Sequence, residues 1–184
     1  QQCRYSYYPD HEIYQLAQTF RDKKIPCDVL YLDIHYMDGY KAFTFDNERF
    51  PFPKKMISDI RKSGFKTAVI LDPGIKLEEG YTPYDSGIKE DVFLKYPDGE
   101  NYIGEVWPGR SHFPDFTSEK GRKWWQDLLP FYIDLGVKGF WNDMNEPAVW
   151  GQCIPGFIEF DFDGDKTTHR EARNIYGMQM ARAT

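Results

Sequence analysis

The sequence predicts an α/β fold of parallel βα units. Two segments, Asp28-Val29-Leu30-Tyr31-Leu32-Asp33-Ile34 and Thr67-Ala68-Val69-Ile70-Leu71-Asp72, are almost uniformly apolar, as expected of strands covered on both faces. Amphipathic helical segments separate them, and strand alternating with helix is the pattern of a parallel sheet.

Taken in order, Cys3 to Tyr8 reads as a short aromatic strand ending at Pro9-Asp10. Asp10 is placed to cap a helix reaching about Lys24, with Ile13, Leu16, Ala17 and Phe20 on one face, and Pro26 stops it. After the second strand, Pro53 precedes a helix over Lys54 to Ser63 that carries Met56, Ile57 and Ile60 on its inner side. Gly64 ends it, and the third strand runs to Asp72. A helix from Ser118 to Leu135 and a fourth strand, Gly136-Val137-Lys138-Gly139-Phe140-Trp141-Asn142-Asp143, come next. The last stretch, His169 to Thr184, reads as a helix.

The connection from Asp72 to Ser118 breaks this rhythm, because its roughly 45 residues far exceed the usual length of such a loop. Within it, Val92 to Tyr96 and Tyr102 to Trp107 flank Pro97-Asp98-Gly99, a hairpin turn signal. Long structured loops after a strand's carboxyl end are where α/β enzymes place their sites.

Composition narrows the function classes. The 184 residues carry a net charge of −6, with 41% apolar and 28% charged residues, which suits one globular core. An acidic balance argues against a nucleic-acid partner, and no apolar run is long enough to span a membrane. The 14 Phe, 13 Tyr and 5 Trp suit either a sugar pocket or a core. Cys3, Cys27 and Cys153 match no zinc spacing and read as buried or unpaired thiols. The chain opens on Gln1-Gln2-Cys3 without an export signal and reads as a piece of a longer protein, so no compartment is assigned. No internal domain boundary is visible over residues 1–184.

Asp33, Asp72 and Asp143 each end a strand, and in a parallel barrel all three would emerge at one rim. Asp also ends strands merely by capping turns. Carboxylates beside aromatic planes such as Trp107 and Trp141 suit a polyhydroxylated ring that develops positive charge.

The most specific string is Gly139-Phe140-Trp141-Asn142-Asp143-Met144-Asn145-Glu146-Pro147. It resembles the nucleophile motif of glycoside hydrolase family 31, Trp-x-Asp-Met-Asn-Glu. Gln2-Cys3-Arg4-Tyr5 is similar to that family's first barrel strand, Tyr31-Leu32-Asp33-Ile34-His35-Tyr36-Met37 to its second, and Asp72-Pro73 to the end of its third. Val106-Trp107-Pro108-Gly109 and Phe113-Pro114-Asp115-Phe116 resemble its long loop, and the whole resembles α-glucosidases more than α-xylosidases.

The resemblance implies a TIM (β/α)8 barrel, of which this chain is the N-terminal half with about four βα units and a hairpin-containing loop after the third strand. It implies a retaining exo-α-glucosidase acting on oligosaccharide or disaccharide without metal or cofactor. Asp143 would be the nucleophile and Glu146 its support. Asp33 and Asp72 would bind substrate, and Ile70, Trp107, Trp141 and Met144 would wall the first subsite. The acid/base partner would lie downstream, so the chain alone would show no normal turnover, and its partner would be the remainder of its own barrel. Many members carry Asp-x-Asp in the second strand where this chain has Asp33-Ile34-His35.

From spacing alone, either Asp143 or Glu146 can attack: period-two alternation would put Trp141, Asp143 and Asn145 on one side while the strand persists. Asn142 and Asn145 can supply side-chain donors to an ionised nucleophile.

Two rival readings remain at this level. Asp33 and His35, on one face of a strand, would form half a metal site in a barrel hydrolase, although His11, His112 and His169 offer no pair at ligand spacing. A non-catalytic sugar-binding homologue would keep the aromatic walls and need no activated carboxylate. Asp161-Phe162-Asp163-Gly164-Asp165 lacks the Gly and Glu positions of a calcium loop and reads as a solvated acidic turn. Arg110 and His112 either touch substrate or satisfy backbone carbonyls, and at least one of Trp124 and Trp125 belongs to a core.

Overall fold

The structure, a computed structural model, describes residues 1–5, 7–151 and 153–184. The elements in chain order are α1 (Asp10–Asp22), β1 (Val29–Leu32), α2 (Pro53–Lys62), β2 (Lys66–Leu71), β3 (Ile75–Lys76), α3 (Thr82–Glu90) and β4 (Gly104–Val106). Then follow β5 (Gly109–His112), α4 (Glu119–Leu128), α5 (Pro130–Ile133), β6 (Gly139–Asn142), β7 (Glu159–Phe160), β8 (Thr167–Thr168) and α6 (His169–Ala183). Residues 1–71 and 130–141 form one compact unit, and residues 72–129 and 142–184 a second.

The first unit is built on a sheet of order β1-β2-β6, with β1 and β2 parallel and Leu32 opposite Val69. Leu30, Leu32, Val69 and Leu71 are buried in it, as their continuous apolar runs require. α1 buries Ile13 and Ala17, and α2 buries Met56, Ile57 and Ile60, the faces read from their 3.6-residue period. Asp10 does not cap α1. Pro9 holds that position without a side-chain bond, while Asp10 lies in the first turn, where its charge suits the helix dipole. A buried hydroxyl network ties the loop after β1 to α5 and β2. Tyr36 Oη donates to Ile70 O (2.8 Å) and lies 2.9 Å from Tyr132 Oη, which accepts from Phe43 N–H (2.7 Å).

The expected first strand contracts to a single parallel bridge between Gln2 and Leu30. Tyr7, at φ 73°, has left the extended region, and Pro9 has no N–H to give a ladder. Ser6, within that expected strand, lies outside the described residues.

The second unit holds an antiparallel sheet of order β3-β5-β4 and the β7-β8 pair. The Pro97-Asp98-Gly99 turn forms with Gly99 at φ 92°, Tyr96 N–H donating to Glu100 O (2.8 Å) and Tyr102 N–H to Leu94 O (2.8 Å). Its arms stay short, because residues 104–106 pair with β5 across a second turn at Trp107-Pro108, closed by Gly109 at φ 96°. The long connection also contains α3. Gly87 masks this helix in the sequence, yet the helix needs it: a Cβ there would stand 2.3 Å from the Phe93 ring.

The helix expected over residues 118–135 is broken at Pro130, which cannot donate to the preceding turn, so α4 stops at Leu128. Trp124 and Trp125 are both buried. Phe116 packs edge-on against Trp125 (centroids 5.1 Å) and Tyr176 (5.2 Å), which joins α4 to α6. Cys3 and Cys153 are exposed, Cys27 is buried, and all three are free thiols. Among the described residues, no helix is long and apolar enough to cross a membrane.

Candidate active site

Asp33, Ile70 and Trp141 fall in the first unit; Asp72, Trp107, Asp143, Met144 and Glu146 fall in the second. Asp33, Asp72 and Asp143 occupy the residues directly after β1, β2 and β6, the three strands of one sheet.

In the first unit, Asp33 is only 7% exposed, and its Oδ1 accepts the Ile34 N–H (2.8 Å). That bond caps a 3-10 turn at Ile34–Tyr36, so alternation ends at Asp33 and does not carry to His35. The shared-face premise of the metal reading therefore fails. His35 is instead packed among aromatic rings, stacked on Tyr8 (4.5 Å, 6°) and edged by Tyr5 (4.5 Å, 70°). Its buried Nδ1 has no hydrogen-bond partner among the described residues. Burial lowers its pKa and Arg49 adds to this, against the pull of Asp33. Among the described residues, no three His, Cys, Asp or Glu are grouped to hold an ion. Ile70 is buried in β2, and Trp141 is half-buried in β6 with its ring edged against Tyr31 (6.4 Å, 71°).

In the second unit, Asp143 is half-buried and Glu146 exposed. β6 stops at Asn142, and Met144 takes φ 54°, a left-handed conformation a long side chain rarely adopts. Ala148 N–H then donates to Met144 O (3.0 Å), so the chain turns back at once. The strand thus ends before period-two alternation can reach Asn145, and the bend begins at Met144, ahead of Pro147. Asn142 receives a bond: its Oδ1 accepts from the Thr184 hydroxyl (3.2 Å). Asn145 lies against α6 at Gly177. Asp72 is buried at the start of this unit.

Trp107, at the turn between β4 and β5, is half-buried and packs edge-on against Trp150 (5.1 Å, 85°), whose backbone N–H donates to Glu105 O (2.8 Å). Nothing in local spacing marks Trp150, 43 positions away from its partner. His112 resolves toward a backbone role, its Nδ1 lying 2.7 Å from Tyr102 O, whereas Arg110 is exposed. The acidic turn is also more than solvated. Asp163 receives two bonds from Arg122 (3.0 Å each) and one from Glu119 N–H (2.6 Å).

The family model described as the glycosyl hydrolases family 31 TIM-barrel domain matches residues 1–184. Alpha-glucosidase 2 of Bacillus thermoamyloliquefaciens is 51% identical over 185 residues, covering 100% of this chain and 24% of that protein. The alpha-glucosidase of Saccharolobus solfataricus is 34% identical over 203 residues, covering 98% of this chain and 29% of that protein. Among solved structures, a glucosidase II alpha subunit matches with a TM-score of 0.91 at 31% identity, covering 99% of this chain and 20% of its own. A family 31 alpha-glucosidase from Bacteroides thetaiotaomicron matches with a TM-score of 0.79 at 44% identity, covering 98% of this chain and 29% of its own. The chain thus spans less than a third of the length of these relatives. Matched from its first residue to its last, the chain belongs to the TIM-barrel domain of glycosyl hydrolase family 31.

Proposed function

We propose that the chain is the N-terminal half of the (β/α)8 catalytic barrel of a retaining exo-α-glucosidase, which removes terminal α-linked glucose from oligosaccharides or disaccharides. The observation that carries this reading is Trp141-Asn142-Asp143-Met144-Asn145-Glu146 at the carboxyl end of β6, in a chain 51% identical to an alpha-glucosidase throughout. Asp143 attacks the anomeric carbon, forming a covalent glycosyl-enzyme as the aglycone leaves with a proton from the acid/base. Water, deprotonated by that same acid/base, then releases glucose with its configuration retained.

The left-handed turn at Met144 supports the role of Asp143, because backbone conformations of this cost cluster where a side chain must be aimed. Glu146 supports the nucleophile's orientation and charge. Asp33 and Asp72 bind sugar hydroxyls, and Ile70, Trp107, Trp141 and Met144 wall the first subsite. Burial of Asp33, with Oδ1 held by the Ile34 N–H, suits a carboxylate that grips hydroxyls from a fixed position.

Retention requires a second carboxyl about 5–5.5 Å from the nucleophile. It belongs to a later strand of the barrel, so residues 1–184 alone show no normal glucosidase turnover. The test is the anomer first released from an α-glucoside by the intact enzyme, read by NMR. α-Glucose supports the reading and β-glucose overturns it. Efficient hydrolysis by residues 1–184, abolished by Asp143→Asn, would overturn the placement of the acid/base.

A further inference from the structure

The turn that bears Asp143 is held at both ends by one helix. At its start, Asn142 Oδ1 accepts from the Thr184 hydroxyl at the end of α6 (3.2 Å). That hydroxyl accepts the Trp125 indole N–H (3.1 Å) and shares its proton with Met180 O (3.0 Å), so its orientation is fixed from three sides. At the turn's other end, Asn145 lies directly on α6 at Gly177. A Cβ on Gly177 would stand 3.0 Å from Asn145 O, 3.3 Å from its Nδ2 and 3.4 Å from its Cγ. The helix is itself anchored: Tyr176 is fully buried, packs on Phe116 and Phe160, and donates its hydroxyl to Pro114 O (2.9 Å).

We propose that Gly177 and Thr184 are positioning residues for the nucleophile, with α6 as the rigid body against which the Asn142–Asn145 segment is registered. The proposal rests on the assignment of Asp143 as nucleophile. Neither residue need touch substrate. Each acts through the backbone that carries the attacking carboxylate, where displacement of about 1 Å costs on the order of 100-fold in rate.

The two contacts make different demands. Alanine at Gly177 forces Asn145 back by a few tenths of an ångström, because its nearest neighbour is a backbone oxygen that cannot rotate away. Scaled from the same sensitivity, this lowers kcat by about 3- to 10-fold and leaves KM nearly unchanged. Valine, with a larger clash, lowers it further. Thr184→Val keeps the shape and removes the hydroxyl from Asn142, lowering kcat, whereas Thr184→Ser restores it. Since Gly→Ala inside a helix ordinarily stabilises, a purely structural role for Gly177 would not pair reduced turnover with a steady melting temperature.

The experiment uses the intact enzyme and measures kcat, KM, melting temperature and the rate of covalent labelling by a fluorinated glucosyl fluoride. The expected result for Gly177→Ala and Thr184→Val is slower labelling of Asp143 and lower kcat at unchanged KM. The melting temperature holds steady in Gly177→Ala and is lower in Thr184→Val, which also deprives the buried Trp125 indole N–H of its acceptor. Met178→Ala, on the exposed neighbour of Gly177, leaves all four as they were. Native kcat and labelling rates in both variants would overturn the proposal. A KM that rises as kcat falls in either variant, or a melting temperature that drops with it in Gly177→Ala, would equally overturn it. If Asp143 takes no label in the unmodified enzyme, the failure lies with the nucleophile assignment.

Discussion

Arg122→Met measures how much of the second unit hangs on one buried cation. The arginine side chain is only 8% exposed and spends Nη1 on Phe116 O (3.0 Å) and Thr117 O (2.8 Å). Its Nη2 grips both carboxylate oxygens of Asp163 (3.0 Å each), whose side chain is 50% exposed. Methionine keeps most of the apolar stem and removes every donor. Phe116 and Thr117 are buried, and an unsatisfied buried carbonyl costs about 1–3 kcal/mol, so two at about 1.5 each give about 3 kcal/mol. The half-exposed ion pair adds about 1 kcal/mol at most. Arg122→Met should therefore destabilise by about 4 kcal/mol, whereas Asp163→Asn, which leaves both carbonyls bonded, should cost about 1 kcal/mol or less. Urea unfolding followed by tryptophan fluorescence reads both, since Trp125 packs edge-on against Phe116. Equal losses for the two variants, or a loss below about 1 kcal/mol for Arg122→Met, would refute the carbonyl-bracing account.

Gly121→Ala should destabilise although it improves helix propensity, because the new Cβ would stand 2.1 Å from the Asp115 backbone oxygen; a urea midpoint at or above the parent's would contradict this. Tyr132→Phe keeps the ring and removes the acceptor of Phe43 N–H, so a loss of about 1–3 kcal/mol is expected by the same assay. Burial lowers the pKa values of His35, His112 and His169 below 6.5, so each binds its proton more readily when unfolded. Stability is then complete above pH 6.5 and declines as pH falls through that value toward the lowered folded pKa. Burial raises the pKa of Asp115 above 3.8, so stability falls with rising pH from that value up to the raised folded pKa. Melting temperatures at about pH 7.5 and 5.5 should drop on acidification, and His35→Phe, which keeps the stack on Tyr8, should shrink the drop. An unchanged drop would rule His35 out as a contributor.

The repeating strands and helices were legible because their cause is local. β1 and β2 are continuous apolar runs, and α2 carries Met56, Ile57 and Ile60 at helical spacing. The motif around Asp143 is likewise contiguous. What escaped depends on partners distant in sequence. Asp163 looked like a solvated acid because Arg122 lies 41 residues away. The Asn142 side-chain carbonyl oxygen is held by Thr184, 42 residues on, a tie that local spacing does not show. The 3-10 turn at Ile34–Tyr36 follows from one side-chain cap and defeats the alternation expected through His35. α3 was hidden by Gly87, whose place is dictated by the Phe93 ring and not by helix propensity. Pro130 splits the helix that the apolar period on either side would continue.

The assignment of Asp143 faces its most direct test in the intact enzyme incubated with a fluorinated glucosyl fluoride, digested with protease and weighed peptide by peptide. A fluoroglucosyl mass increment on the peptide containing Asp143, lost in Asp143→Ala together with turnover, is the expected result. Label on any other carboxylate, or near-native turnover by Asp143→Ala, would contradict it.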